Sequence, residues 1–183
     1  SEMCIRDRIE DDPTVKVDMP KIHEKNIIRL DVDEVAKLLD EVESGENLTA
    51  RQQQYHEKTK IRDLAMMTLL LGTGIRVSEC VGLNINDIDL DTCGARVYRK
   101  GGKESVIYFS DEVRDVLEDY LDEREMIDAV PGNEDALFLS SQGKRIGVRT
   151  VQNMVKKYAQ GVTIKKITPH KLRSTFGTNL YQE

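Results

Sequence analysis

Apolar residues first settle into a period just after Leu30, where Val35, Leu38, Leu39 and Val42 recur at the spacing of one helical face. Asp31 can cap that helix, Glu34 stands three residues on as in a capping box, and Gly45 stops it. The polar stretch Glu46 to Thr59 predicts a loop or a frayed helix. Ile61 to Leu71 is apolar nearly all round, the pattern of a central buried helix. Gly72 and Gly74 then punctuate the chain, and Val77, Val81 and Leu83 predict a short helix beginning close to Arg76. Asn84 to Leu90 reads as a turn-rich connection. Alternation in Ala95 to Arg99 and again in Ser105 to Phe109 predicts a β-hairpin, with Lys100 at its tip. Val113, Val116, Leu117, Tyr120 and Leu121 form another amphipathic stripe, Ala136 to Leu139 a short strand, and Val148, Val151, Val155 and Tyr158 a further helix. A last helix opens at Thr168, with Pro169 suited to its first position. The expected class is mainly α with a small antiparallel hairpin, α+β.

Composition adds bounds rather than detail. The 183 residues, 39% hydrophobic and 33% charged, suit one medium domain. Residues 1–20 lack an apolar period and carry Asp-Pro and Met-Pro breaks, so a linker or disordered tail is expected there, with the domain occupying 21–183. The longest apolar run, Leu64 to Leu71, is too short to cross a bilayer, and the polar start has no signal-peptide pattern; a cytoplasmic protein with no membrane partner is expected. Cys4, Cys80 and Cys93 are widely spaced and read as reduced thiols, with Cys80 buried, not as a zinc site.

The net charge of −6 argues against a polyanion, but its distribution argues the other way. Between Lys144 and Arg173 stand nine Lys or Arg and no Asp or Glu; between Asp111 and Asp128 stand nine Asp or Glu against Arg114 and Arg124. One basic face on a polyanion with acidic helices turned away accounts for both blocks, and a solvated basic face is the plainer alternative.

Candidate chemistry is carried by TGIRVSECVGL, RKGGKE and TPHKLRSTFGT. His170, Lys171 and Arg173 fall in or near the first turn of a helix, where cations oppose the helix dipole unless an anion covers the free N–H groups. His170 and Arg173 are three apart and share a face. Arg76 has Glu79 as its i+3 neighbour, which predicts either an ordinary ion pair or a buried arginine held by Glu79 with N–H groups left for phosphate oxygens. Lys100, on a Gly-rich turn, could reach a leaving oxygen and donate a proton, although such turns commonly carry lysine for solubility.

In their order, TG-[IL]-R-x-[SG]-E, a basic Gly hairpin and HxLRxTF-[GA]-T resemble the tyrosine recombinase or phage integrase family, from about Ile27 to the end. The resemblance implies that family's catalytic-domain fold, with Arg76, Lys100, His170 and Arg173 as catalytic residues and Glu79 as their support. It implies site-specific recombination or integration of mobile DNA through a 3′-phosphotyrosyl link, without metal or other cofactor. The implied partner is double-stranded DNA, bearing several recombinase protomers. Phosphate contacts are expected from Arg99, Lys103, Lys144, Arg145, Arg149 and Lys171. Arg99 stands where the family usually has glycine, which leaves Lys100 and Lys103 both open as the acid. The family's Gly-His and nucleophilic tyrosine usually lie well beyond the ten residues that follow Arg173 here, and Tyr181 is too close to serve. The chain is therefore expected to be an incomplete catalytic domain, lacking the nucleophile and an N-terminal clamp domain. A DNA-binding module without chemistry, or a tyrosine-type (IB) topoisomerase, is the alternative.

Overall fold

The computed structural model describes residues 30–163, 167–169 and 172. In chain order it contains α1 (Val32–Ser44), α2 (Ala50–Thr73), α3 (Val77–Val81), a 3-10 turn (Ile85–Asp87), β1 (Ile88–Asp89), β2 (Gly94–Arg99), β3 (Lys103–Tyr108), α4 (Asp111–Glu125) and α5 (Val148–Ala159). The expected mainly helical α+β class holds. The tail over 1–20 and Cys4 lie outside the described residues.

α1 begins as the capping box requires: the Asp31 carboxylate accepts from the Glu34 amide at 2.8 Å, and Glu34 returns to the Asp31 amide at 3.1 Å. Gly45 ends it at φ +69°, and a Cβ there would lie 2.8 Å from the His56 Nδ1. Glycine is thus required twice over, for the left-handed backbone and for the space. His56 is buried and its Nε2 lies 2.6 Å from the Val42 carbonyl. A carbonyl only accepts, so that nitrogen carries the proton.

The loop expected over Glu46 to Thr59 is corrected. Only the first residues are loop; from Ala50 the chain is helical and continuous with the apolar stretch, because Thr49 and Gln52 form a second capping box. Nor is the helix buried all round, since Ile61 is 37% exposed while Ala65, Met66, Met67, Leu69 and Leu70 are buried. Asp63 lies in the same buried stripe. Its carboxylate accepts from Tyr158 Oη at 2.6 Å and from Arg62 Nη2 at 2.8 Å, so the buried charge is paired and hydrogen-bonded.

The sheet has three antiparallel strands in the order β1-β2-β3, because part of the expected turn-rich connection pairs as β1 through Ile88↔Ala95. β2 and β3 run in register from Gly94↔Tyr108 to Arg99↔Lys103. Ala95 and Val97 face the core, whereas Tyr98, Val106 and Tyr108 remain exposed on the other face.

The strand expected at Ala136 to Leu139 joins no ladder. The segment is buried and makes only isolated bridges, Asn84↔Ala136 and Leu139↔Arg145. Side chains satisfy its carbonyls instead: Arg124 donates to Glu134 O at 2.9 Å and Ala136 O at 3.0 Å, Tyr120 to Leu137 O at 2.7 Å, and Arg62 to Leu139 O at 2.9 Å. A buried extended segment needs partners for every carbonyl; side chains of α2 and α4 supply those of Ala136, Leu137 and Leu139, and the Ile146 amide donates to Phe138 O at 3.0 Å. Among the described residues no helix is long and apolar enough to cross a membrane.

Candidate nucleic-acid interface

The arginine site is made by two turns. Gly74 ends α2 at φ +67°, its amide donating to Leu70 O at 3.2 Å, and Ile75 is buried immediately after it. That reversal leaves Arg76 at the N-cap of α3. Glu79, in the first turn of α3, folds back so that Oε1 accepts from the Arg76 amide at 3.1 Å. Its other oxygen, Oε2, lies 3.7 Å from Arg76 Nη1 and 3.4 Å from Arg99 Nε.

The carboxylate, not the expected arginine, is the buried member. Glu79's side chain is 6% exposed, against 52% for Arg76 and 44% for Arg99. The cause is local: a carboxylate that caps its own helix must lie over the first turn, while the longer arginine stem carries its head to water. Two guanidinium groups on one carboxylate leave one positive charge unneutralised, with N–H donors still directed outward.

Arg99 ends β2 and continues the inward row of Ala95 and Val97, which explains why it reaches α3. Lys100 follows directly in the turn, and Lys103 is paired in register with Arg99, hence on the same sheet face as Arg99. Both lysines are exposed. Gly101 and Gly102 have φ of +85° and +76°, and nothing lies within 4 Å of a Cβ built at either. The expected hairpin is present, with Lys100 at its tip.

Other expected contact residues fall into different settings. Lys144 and Arg149 are exposed. Arg145 is turned inward: Nη1 donates to Val81 O at 3.0 Å and Leu83 O at 2.9 Å, and Nη2 to the Asn84 side chain. It fastens its own turn to the end of α3, and those donors are occupied. His170, Lys171 and Arg173 lie outside the described residues. Around them, Pro169 is helical, Leu172 is fully buried, and the Leu172 amide donates to Thr168 O at 3.1 Å, as expected for a helix opening at Thr168.

Cys80, one residue after Glu79, is buried, and burial pushes its thiol pKa up to about 12. Cys80 and Cys93 are free thiols. Among the described residues no group of three or more His, Cys, Asp or Glu is placed to hold a metal ion. Sequence reasoning overlooked the pairing of Arg99 with Glu79 and the carbonyl-binding Arg124. A signal existed for each: Arg99 has the parity of Val97 on its strand, and Arg124 continues the stripe Val113, Leu117, Tyr120.

Known proteins resemble this chain in sequence and fold. The tyrosine recombinase XerS of Streptococcus agalactiae is 39% identical over 137 residues, covering 73% of this chain and 38% of that protein. The chain thus spans about two fifths of the length of the curated relatives it matches. The crystal structure of XerA recombinase superposes with a TM-score of 0.70 at 30% identity, covering 85% of this chain and 51% of that one. XerH site-specific recombinase bound to its difH substrate shares the fold, with a TM-score of 0.67 at 24% identity over 84% of this chain and 42% of that one. Residues 28–183 match the phage integrase family as a whole, and with its motifs and fold in agreement the chain belongs to that family of tyrosine recombinases.

Proposed function

We propose that residues 21–183 serve as the catalytic domain of a site-specific DNA recombinase or integrase that breaks and rejoins phosphodiester bonds without a metal. What supports this reading above all is the pairing of Glu79 with both Arg76 and Arg99, which ties the arginine turn to the lysine hairpin from distant parts of the chain. The XerS and XerA likenesses support the same activity, and the difH-bound XerH supports duplex DNA as the partner. Several protomers assembled on one DNA, and action in the cytoplasm, belong to the same proposal.

In the proposed reaction a tyrosine oxygen attacks the DNA phosphorus, the bond to the 5′-oxygen breaks, and a 3′-phosphotyrosyl link forms. Bond energy is conserved, so a second strand's 5′-hydroxyl reverses the step and frees the tyrosine. Arg76 and Arg173 hold the non-bridging oxygens as charge accumulates there; fixed donors of this kind contribute about 10²–10³ in rate each. His170 assists proton transfer at the nucleophile, and Lys100 protonates the leaving 5′-oxygen, with Lys103 as the alternative donor. None of the six tyrosines stands at the spacing expected of the nucleophile, so the attacking tyrosine is proposed to lie outside these 183 residues.

The test is a nicked suicide substrate offered to a polypeptide joining these residues to such a tyrosine. The expected result is a covalent protein–DNA adduct, slowed about 100-fold or more by Arg76→Ala with the DNA still bound. Binding with no adduct on a cognate site would reduce the protein to a DNA-binding module. Relaxation of supercoils without site preference would identify a topoisomerase.

A further inference from the structure

The tip of the lysine hairpin has little to hold it. Its turn contains two glycines at positive φ, with no neighbouring atom within 4 Å of either Cβ position. The last side chain before that turn is Arg99, whose Nε lies 3.4 Å from Glu79 Oε2. Glu79 is fastened independently, since it accepts from the Arg76 amide through Oε1. A chain of contacts therefore runs from the first turn of α3, through one buried carboxylate, to the residue preceding Lys100. A flexible two-glycine tip without that link would carry Lys100 over a wider range of positions relative to Arg76.

We infer that Arg99 is a positioning residue, which latches the lysine hairpin to α3 through Glu79 and thereby sets the position of Lys100 relative to Arg76. This rests on the proposal that Arg76 and Lys100 act at one phosphate. Arg99 acts through Glu79 rather than on the DNA. Because Arg99 is 44% exposed, the latch is weakened by salt, whereas an apolar contact would not be.

The Gly102 amide donates to Arg99 O at 3.1 Å across the turn and reports opening of the tip. Hydrogen exchange at this amide, followed by NMR in the whole 183-residue chain, tests the latch. Arg99→Ala is expected to speed Gly102 exchange about fivefold while core amides such as Leu70 keep their rates. Added salt should raise the rate in the parent chain toward that of the variant and leave the variant unchanged, with Arg99→Lys between the two. An unchanged Gly102 rate in Arg99→Ala, or a parent rate indifferent to salt, overturns the latch. The phosphate reading is checked separately by covalent adduct formation on the nicked substrate, so a faster Gly102 in Arg99→Ala beside an Arg76→Ala adduct rate equal to the parent's would remove that reading while leaving the latch standing.

Discussion

Cys80 shows how position alone changes a side chain's chemistry. It follows Glu79 in α3 and is wholly enclosed by apolar neighbours, so its thiolate has no solvation and its pKa rises to about 12 from 9.0. The folded protein therefore keeps a proton that the unfolded chain releases above pH 9. Stability is fully present below that pH and falls as pH rises toward 12, by at most about 4 kcal/mol. Tyr120, raised by burial to about 12, adds to the loss from pH 10 upward. Urea titrations between pH 8 and 11 should show Cys80→Ala losing less stability with pH than the parent. Parallel curves would mean that the thiol is not the group responsible. The site arginines offer the opposite case, since Arg76 and Arg99 keep their heads in water and only their shared carboxylate is withdrawn. The RxxE spacing in the sequence predicted the Arg76–Glu79 pair but could not say which partner is buried. Helix capping and stem length decided that.

At the scale of elements, helix signals read well and strand signals less so. The cap at Asp31 and the stops at Gly45 and Gly74 are local hydrogen-bonding chemistry, legible three or four residues at a time, whereas the Thr49 cap was overlooked. The first half of α2 escaped notice because its residues are mostly polar; a capping box and continuity with the buried half hold it helical. Ala136 to Leu139 looked like a strand for a sound reason, being a short apolar run, yet three of its four carbonyls go to Arg124, Tyr120 and Arg62. Arg124→Met should leave the Glu134 and Ala136 carbonyls without their donor, and Arg145→Ala should strip Val81 O and the Asn84 side-chain oxygen of theirs, while Leu83 O keeps the Leu137 amide. Each is expected to cost about 2–4 kcal/mol in urea-induced unfolding. A loss below about 0.5 kcal/mol for either would show that water replaces the arginine at no cost.

For the molecule as a whole, a net charge of −6 coexists with a proposed polyanion partner because the charges are segregated. Seven acidic side chains of α4, from Asp111 to Glu125, are exposed, as are Lys100, Lys103, Lys144 and Arg149 elsewhere. DNA binding should weaken linearly on a log–log plot against salt, and Lys144→Ala and Arg149→Ala should each reduce that slope by about one while weakening all sequences alike. Arg145→Ala differs, with its main effect on stability because its guanidinium is engaged inside. Salt-independent binding, or a slope change confined to one DNA sequence, would contradict these assignments. What the chain's order of residues determined alone was the helices apart from the polar first half of α2, the hairpin with Lys100 at its tip, and the family motifs, because periodicity, caps and turn glycines act over a few residues. Only the tertiary structure decided that Glu79 is shared with Arg99, that Arg145 faces inward, and that an apparent strand is held by arginines. Those outcomes depend on which groups meet across tens of residues, and burial then forces each buried carboxylate and carbonyl to take whatever donor the packing brings within reach.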